Sequence, residues 1–388
     1  MAEAYIVDAL RTPVGKRGKG LAGVHPLDLA AAPLAALMGR SGVDPAAVDE
    51  VILGCIDQLG PQSMNIARNA WLAAGLPTSV PGTTVERQCG SGQQAVSLAA
   101  RAVLSGAADL VVAGGAQSMS AVPLQSSNVA AAAWGFPDPF AGSRRWARRY
   151  GEQEISQFRG AELMARHWGL TRAELEGFAV ASHERALAAQ AAGAFEREMD
   201  GLAGAPELDG LAKDEGPRTP DPARMAALEP IVAGGLHTAA TASQASDGAA
   251  ALLVASERAV EEHGLTPRAR IVHTSARGGD PVMMLAAPIE ATRHALRRAG
   301  LGVADIDVFE VNEAFSAVPL AWMRELGADP VRVNPRGGAI ALGHPIGATG
   351  ARLLVSLLHT LEDTGGRRGL LTMCEGGGQA DVTVLELV

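Results

Sequence analysis

Short aliphatic runs alternate with longer alanine-rich segments along most of the chain. The apolar runs are typical of strands, and several are apolar on both faces: AYIVDAL, VDEVILGCI, DLVVAGG, AALLVAS, ARIVHTSA, IDVFEVNEAF and GLLTMC. Apolar residues recur at three- and four-residue steps in four windows, which predicts packed helices over 26–38, 93–104, 288–299 and 350–361. This alternation predicts an α/β fold with buried sheets.

The stretch from about residue 117 to residue 246 breaks this rhythm. It is richer in Arg, Glu and Gln and contains the segments PDPF and EGPRTPDPAR, so we expect an inserted, more solvated subdomain.

The rest of the chain contains a weak internal repeat. CGSG, a helix and DLVVAGG in the first half resemble GGAIALGHPIG, a helix and GLLTMCEGGG in the second. A duplicated βα unit would place both glycine-rich turns at equivalent strand ends, where open α/β sheets bind ligands.

Composition and charge narrow the class of protein. A chain of 388 residues is long enough for two or three domains, and its net charge of −9 argues against coating nucleic acid or an anionic membrane. Three cysteines without a CxxC pair support neither a disulfide framework nor a zinc site. The N-terminal residues lack a secretory apolar region, and no apolar run approaches the roughly 18 residues of a membrane span. We therefore expect a soluble, cytoplasmic protein without a zinc-thiolate site.

Cys89 lies between an extended segment and a helix that follows Gly90-Ser-Gly92. Unpaired N–H groups at a helix N-terminus stabilise a thiolate, which predicts a lowered pKa and a nucleophile. The glycines leave room for a bulky acyl substrate. The alternative is a buried, inert cysteine, the commoner fate of a single thiol.

The same window also fits the dinucleotide-binding pattern G-x-G-x-x-A over residues 90–95. That pattern requires an acidic residue at the end of the second strand, about 20 residues further on, to bind a ribose. Asp109 has the right spacing but precedes the strand DLVVAGG. The sequence therefore favours the nucleophile over a nicotinamide site.

His344 is the most distinctively placed of the nine histidines, between Gly343 and Pro345 on a glycine-rich turn. A histidine held there can accept a thiol proton and keep the imidazolium beside the thiolate. The alternative is a turn histidine that caps a helix. Five other histidines lie in helical stretches with polar neighbours and are expected at the surface: His167, His183, His263, His294 and His359.

Two further strand ends carry reactive or polar side chains. Cys374 is followed by Glu375 and the glycines 376–378, whose N–H groups could converge on an anion or form an oxyanion hole. A second cysteine there could be a general acid or base, although a tight or phosphate-binding loop is the alternative. Asn312 ends the run VFEVN, where an amide can hold a water or a substrate oxygen, or cap the next helix.

Taken together, QCGSGQQA, GGAQSMS, VNEAF, GGAIALGHPIGATGAR and CEGGG resemble the thiolase family, and the resemblance extends from about Ala4 to the C-terminus. It implies a thiolase-like duplicated αβαβα five-layer fold with an inserted loop domain. The N-terminal half would comprise 1–116 plus 247–267, the loop domain 117–246, and the C-terminal half 268–388. The loop domain would bind CoA and make oligomer contacts.

The resemblance also implies roles for the motif residues. Cys89 would be the acylated nucleophile, His344 would activate it, and Cys374 would move protons at the acetyl-CoA carbon or the CoA thiol. Asn312 would position a water that binds, together with His344, the thioester oxygen at which an enolate develops. The N–H groups of Cys89 and Gly376 would form a second oxyanion hole, which serves the acyl-enzyme.

Coenzyme A and acyl-CoA would then be substrates, with no tightly bound cofactor, no nucleic-acid or membrane partner, and a homodimer or homotetramer as the assembly. Ser243 in TASQASDGAA matches the family's serine near the pantetheine. Arg218 and Arg224 are candidates for the CoA nucleotide. The arginines of SRRWARRY are also candidates, but they fit a solvated helix face or a subunit contact equally well.

The expected activity is that of a 3-ketoacyl-CoA thiolase that releases acetyl-CoA in a reversible Claisen reaction. An acetyl-CoA C-acetyltransferase that forms acetoacetyl-CoA is the alternative within the family. An NAD-dependent oxidoreductase using residues 90–95 and a non-catalytic CoA-binding homologue are alternatives from other classes.

The sequence departs from the family pattern at two places. Glu375 stands where many thiolases have an apolar residue, and Gln157-Phe158 stands where they often have His-Met. Both differences flank the substrate and put in doubt a pocket tuned strictly to acetoacetyl-CoA.

Overall fold

The computed structural model describes residues 2–202, 205–208 and 210–388. The strands are β1 (Ala4–Arg11), β2 (Gly15–Lys16), β3 (Glu50–Gly54), β4 (Gly82–Val85), β5 (Leu110–Ser118), β6 (Ser246–Ser256), β7 (Ala269–Gly278), β8 (Val308–Val311), β9 (Arg368–Glu375) and β10 (Gln379–Leu387). The α-helices are α1 (Pro26–Ser41), α2 (Ile66–Ala73), α3 (Ser91–Leu104), α4 (Ser126–Ala133), α5 (Arg144–Tyr150), α6 (Gln157–His167), α7 (Arg172–Ala191), α8 (Pro222–Ala226), α9 (Glu257–Glu262), α10 (Ala287–Ala299), α11 (Ala317–Leu326), α12 (Ala339–Leu342) and α13 (Ile346–Thr364).

The predicted strands and helices are present. All seven apolar runs contain a strand, and the four predicted helical windows fall within α1, α3, α10 and α13. The sequence pattern does not predict β10, because Asp381 and Thr383 interrupt its apolar residues. Both side chains are nevertheless buried. The strand forms because it lies between β7 and β9 and pairs with both of them.

The strands follow the order β4-β3-β5-β6-β1-β7-β10-β9-β8. In the N-terminal half, β3 pairs parallel with β4 and β5, while β6 pairs antiparallel with β5 and β1. In the C-terminal half, β8 and β9 are parallel and β10 runs antiparallel to β7 and β9. The halves meet where β1 pairs with β7 over only two residue pairs, Tyr5 with Arg270 and Ile6 with Ala269.

Three apolar clusters show how the layers stack. One packs α1 and α2 against the N-terminal strands, and a second packs α10 and α11 against the C-terminal strands. The third contains α3 and α13 between the two sets of strands. The order of layers is therefore helix, sheet, helix, sheet, helix, the five-layer αβαβα arrangement expected from the sequence.

The two central helices touch at their N-terminal ends through glycines. A Cβ on Gly92 of α3 would lie 2.8 Å from the carbonyl oxygen of Gly347 in α13, and a Cβ on Gly350 would overlap the backbone of Gln93. Larger residues would force the helices apart. Because Cys89 and His344 directly precede these ends, the glycine contact brings the two candidate catalytic turns together.

The segment between β5 and β6 comprises residues 119–245, because β5 continues to Ser118 and β6 begins at Ser246. The predicted boundary after residue 116 therefore cuts β5. Helices α4 and α5 are exposed or half-buried along their length, whereas α6 packs on α11. The segment is also fixed to β1 by buried charges: the Arg11 guanidinium donates to Asp214 at 2.7 and 2.9 Å and to Glu198 at 2.5 Å. In the described part of the chain, no helix combines the length and apolar character needed to cross a membrane.

Candidate active site

Cys89 lies at the end of a tight turn and lines a cavity of about 500 Å³. Gly90 N–H donates to the carbonyl of Arg87 at 3.0 Å, and Ser91 N–H donates to that of Gln88 at 3.2 Å. Gln88 has φ +48°, a left-handed conformation that costs free energy in a non-glycine residue. The strain therefore falls on Gln88 and not on Gly90, whose φ is −81°. The turn points the thiol into the cavity at the start of α3.

The predicted lowering of the Cys89 pKa is wrong for the free enzyme. Burial raises the pKa of Cys89 to about 12, and so does Glu375, which is ionised at the high pH where this thiol loses its proton; the N–H groups of Cys89 and Gly376 lower the pKa by smaller amounts. Desolvation outweighs the helix terminus because a thiolate at this half-buried position loses more hydration than two N–H groups return. The resting nucleophile is therefore a thiol.

His344 lies on the turn between α12 and α13 and is buried. Ala245 forms a bridge with His344, and Ile346 follows two residues later. Cys89 and Ala245 pack against the same apolar cluster, which includes Ile346. The structure therefore brings His344 to the Cys89 side of the molecule.

Hydrogen bonds fix which ring nitrogen of His344 carries the proton. The Thr349 hydroxyl donates its one proton to the carbonyl of Pro345 at 2.9 Å, so it must accept from Nδ1 of His344 at 2.7 Å. Nε2 is then free to accept, and it is buried without a partner among the described residues. Burial, followed by the charge of Arg352, lowers the pKa of His344 to about 3 and keeps the ring neutral. His344 is thus arranged as a base that becomes charged only during a reaction.

Cys374 lies one residue before the end of β9 and lines the same cavity as Cys89. Burial, followed by the charges of Cys89 and Glu375, raises its pKa well above the ordinary value. A thiolate of such high basicity suits proton removal from a carbon acid. Gly376 follows in the loop between β9 and β10, and its N–H contributes to lowering the Cys89 pKa. The N–H groups of Cys89 and Gly376 therefore both face the Cys89 sulfur, an arrangement that can also hold an oxyanion.

Asn312 follows directly after β8 and is buried. Its backbone N–H donates to the carbonyl of Thr372 at 3.0 Å, which ties it to β9 near Cys374. Both its side-chain nitrogen and its side-chain oxygen lack partners among the described residues. Buried amides are normally hydrogen-bonded, so this amide is free to bind a water or a substrate oxygen.

The two candidate CoA contacts lie at a second, smaller cavity and on the segment that leads from it. Arg218 and Arg224 line a cavity of about 290 Å³ together with Ala239 and Ala240. From there the chain runs to Ser243, whose N–H donates to the carbonyl of Ala314 at 3.0 Å. Ala314 in turn lines the cavity of the two cysteines. Residues 239–243 therefore run from the wall of the arginine-lined cavity to the wall of the cavity of the two cysteines.

The arginine cavity is lined by two arginines and one acidic residue, Asp221. Burial, followed by the charge of Arg224, lowers the pKa of Arg218, and neither arginine has an acidic partner within ion-pair distance among the described residues. The run SRRWARRY forms the exposed helix α5 and lines a different cavity. Of the arginines considered from sequence, Arg218 and Arg224 are thus the pair that shares a pocket.

Sequence reasoning missed several features of the site. Thr349, which orients His344, lies five residues after it inside α13, and only the helix geometry places its hydroxyl on the ring. His183 and His359 were expected at the surface, but both are buried. The reason is that α7 and α13 pack against neighbours on more than one side. His183 lines the arginine cavity, and burial lowers its pKa to about 4, which keeps it neutral.

The dinucleotide interpretation finds no support in the geometry. Asp109 lies just before β5 and not at the end of that strand, where a ribose would be bound. Its carboxylate accepts from the Ser256 hydroxyl at 2.6 Å and from the Arg258 guanidinium. Among the described residues, no cluster of three or more His, Cys, Asp or Glu side chains could hold a metal ion.

Comparisons with known proteins agree with the motifs. Residues 4–258 match the family model described as "Thiolase, N-terminal domain", and residues 265–387 match "Thiolase, C-terminal domain". The chain is 57% identical over 386 residues to the "Steroid 3-ketoacyl-CoA thiolase FadA6" of Mycobacterium tuberculosis, covering 100% of this chain and 94% of that protein. It is 44% identical over 408 residues to the "Beta-ketoadipyl-CoA thiolase" of Pseudomonas aeruginosa, covering 100% and 99%. The crystal structure of the Bacillus anthracis acetyl-CoA acetyltransferase matches with a TM-score of 0.85 and 34% identity, covering 100% of this chain and 99% of that one.

Proposed function

The chain belongs to the thiolase family, and from this premise we propose that it is a 3-ketoacyl-CoA thiolase that transfers the acyl group to CoA through Cys89 and releases acetyl-CoA. The observation that carries the residue assignment is the meeting of the Cys89 and Cys374 thiols at one cavity, where the N–H groups of Cys89 and Gly376 converge. His344, buried on the turn before α13, adds a neutral ring with a free Nε2. This set of groups matches what a Claisen reaction on thioesters requires: a nucleophile, a base and two sites for negative oxygen.

In the first half-reaction, Sγ of Cys89 bonds to the keto carbon of the substrate while its proton passes to Nε2 of His344. The bond between the keto carbon and the α-carbon then breaks, and its electron pair forms the enolate of acetyl-CoA. The enolate oxygen is held by protonated His344 and by a water on Asn312. Cys374 gives its proton to the α-carbon, and acetyl-CoA leaves.

In the second half-reaction, the CoA thiol gives its proton to the Cys374 thiolate, and the CoA sulfur attacks the acyl carbon on Cys89. The N–H groups of Cys89 and Gly376 hold the oxygen of the tetrahedral intermediate. Cys89 leaves and takes back the proton from His344. Every group returns to its starting protonation state, so no proposed step needs a metal or a redox cofactor.

The neutral resting state of both thiols has a catalytic consequence. The pKa values of about 12 for Cys89 and about 3 for His344 make spontaneous proton transfer between them unfavourable in the empty site. The transfer becomes favourable only when the sulfur forms its new bond and the charge moves to an oxygen held by hydrogen-bond donors. Reactivity therefore depends on bound substrate.

We propose that the inserted segment, residues 119–245, binds CoA, with Arg218 at the nucleotide phosphates and Ser243 beside the pantetheine. The course of residues 239–243 from one cavity wall to the other supports this arrangement, because a CoA thioester must extend from its phosphates to the reacting carbon. CoA and acyl-CoA are substrates in this proposal and not resident groups.

We also propose a homodimer or homotetramer. Two features support it: the open edge of the sheet at β4, which pairs only with β3 among the described strands, and the exposure of the Met64 side chain (85%).

Replacing Arg218 by alanine is expected to raise the KM for CoA about ten- to hundredfold with little change in kcat. A charge-assisted hydrogen bond is worth about 1.5–3 kcal/mol, and a contact far from the reacting carbon binds substrate and transition state equally. Steady-state thiolysis at varied CoA concentrations measures both constants. Arg144→Ala in α5 is the matched control and should leave KM unchanged. An unchanged KM for Arg218→Ala would remove Arg218 from the CoA site.

We propose that the acyl substrate is bulkier than acetoacetyl-CoA. Apolar side chains line the cavity around the two thiols, among them Leu124, Phe140, Ile155, Phe158 and Leu285. Two of the similar proteins are named as thiolases of steroid and β-ketoadipyl substrates. The similar crystal structure from Bacillus anthracis is named as an acetyl-CoA acetyltransferase, which favours the alternative activity, formation of acetoacetyl-CoA.

The activity is tested by thiolysis of a substrate series that runs from acetoacetyl-CoA to medium-chain and ring-bearing 3-ketoacyl-CoA. The larger substrates are expected to exceed acetoacetyl-CoA in kcat/KM by about tenfold or more, because each buried methylene contributes about 0.8 kcal/mol. Acetoacetyl-CoA as the best substrate would favour the acetyltransferase instead. Absence of acetyl-CoA production with every member of the series would overturn the proposed function.

A further inference from the structure

Two buried carboxyl groups lie behind the reacting thiols and take no part in the steps above. Glu375 directly follows Cys374 at the end of β9. In the hairpin register Glu375 pairs with Gln379, and Met373 pairs with Asp381. Residues two apart on a strand point to the same face, so Glu375 and Asp381 share one face of the hairpin. Their exposed fractions are 0% and 1%.

The Glu375 carboxyl group lies beside Gly90, just before α3, the helix that follows Cys89. A Cβ on Gly90 would overlap Oε1 of Glu375, so the carboxyl occupies the space beside the residue that follows Cys89. Neither oxygen of Glu375 has a hydrogen-bond partner among the described residues, and Oδ2 of Asp381 also has none. Buried carboxyl oxygens without donors are costly as anions.

One nearby cation faces this pair. Nη1 of Arg87 lies 3.5 Å from Oδ1 of Asp381, and Arg101 of α3 acts on Asp381 from farther away. The other ionisable groups that face the pair are the two thiols, Cys89 and Cys374. A dry site with a single close guanidinium stabilises one carboxylate but not two adjacent ones.

We propose that Glu375 and Asp381 share one proton, that this proton resides on Glu375, and that the uncharged Glu375 is a positioning residue which keeps negative charge away from both reacting thiols. A proton on Glu375 gives Asp381 the donor that it otherwise lacks, while Asp381 keeps its charge beside Arg87. The pKa of Glu375 changes in the direction that this assignment requires: burial, followed by the charge of Asp381, raises it. The inference rests on the proposed roles of Cys89 and Cys374.

The proposal predicts opposite behaviour for two conservative variants. In Asp381→Asn the repelling charge is gone and Arg87 is free to attract Glu375, so the pKa of Glu375 falls and its carboxylate forms at a lower pH than in the wild type, although burial still raises this pKa. That charge raises the pKa of Cys89, and alkylation of Cys89 by iodoacetamide at a fixed pH should slow about tenfold, the effect of one pKa unit. Glu375→Gln keeps an uncharged group of the same shape and should change the rate less than about threefold.

The double variant Glu375→Gln/Asp381→Asn separates charge from structure. It should return the alkylation rate to within about threefold of wild type, because no carboxylate remains to repel the thiolate. Glu386→Gln, at the far end of β10, is the matched control and should match wild type. Equal slowing in Asp381→Asn and the double variant would show a packing effect and overturn the proposal. Alkylation reports thiol chemistry alone, so its outcome does not depend on whether the protein cleaves 3-ketoacyl-CoA.

A measurement on the wild-type protein covers the case in which the Asp381 variants do not fold. The difference between the infrared spectra of the wild type and Glu375→Gln at neutral pH should contain the C=O stretch of a protonated carboxylic acid. Glu310, whose pKa burial raises to about 8, contributes to both spectra and cancels. A difference spectrum without this band would place the proton elsewhere and overturn the proposal.

Discussion

Replacing Cys89 by serine is expected to lower kcat for thiolysis by at least about 10³-fold. A serine hydroxyl is a far weaker nucleophile than a thiol, and His344, with its pKa of about 3 in this buried position, cannot activate it. The cavity, the oxyanion N–H groups and the CoA contacts should all survive the change. The loss should therefore appear in kcat and not in the binding of CoA.

The chemical readout for Cys89 is the acyl-enzyme itself. The wild-type protein, incubated with acetyl-CoA and digested, should carry an acetyl mass on the Cys89 peptide, and Cys89→Ser should not. Cys55→Ser is the matched control, since Cys55 is the third thiol of the chain, lies in the apolar core and donates only weak hydrogen bonds, to the Ile56 carbonyl at 3.5 Å and to Gln117 Oε1 at 3.9 Å. An acetyl group on another peptide, or one retained in Cys89→Ser, would refute the nucleophile assignment.

Replacing Cys374 by serine should separate acyl transfer from carbon–carbon chemistry. The variant is expected to form the acetyl-enzyme from acetyl-CoA, while thiolysis and condensation fall by about 10³-fold or more. The reason is that a hydroxyl in this buried position is too weak an acid to protonate the enolate. Cys55→Ser again serves as the control and should retain both activities.

Deuterium exchange gives the Cys374 prediction a second, more direct measurement. Wild-type protein in heavy water should exchange the α-hydrogens of bound acetyl-CoA, because Cys374 removes and returns them, and Cys374→Ser should not. Wild-type exchange or wild-type condensation in Cys374→Ser would show that another group carries the proton.

The sequence determined the fold class and the elements that carry the site. The seven apolar runs and four helical windows reappear in the structure because their periodicity records which faces are buried, and burial drives folding. The motifs around Cys89, His344, Cys374 and Asn312 identified the family, and each of these residues lies at a turn or strand end near the junction of the two halves. Hydrophobic pattern did not predict β10, whose polar residues Asp381 and Thr383 are buried, or the short strands β2 and β4.

The tertiary structure alone decided the electrostatics of the site. The sequence predicted an acidic Cys89 from its helix terminus, but the thiol is desolvated by elements distant in sequence, and its pKa rises. Likewise Thr349 fixes the tautomer of His344, and Asp381 faces Glu375 across a hairpin, because packing brings these groups together. The free energy of a charge depends on everything within several ångströms of it, whereas local pattern reports only neighbours along the chain. Sequence thus named the reacting groups, and only the folded environment set their protonation.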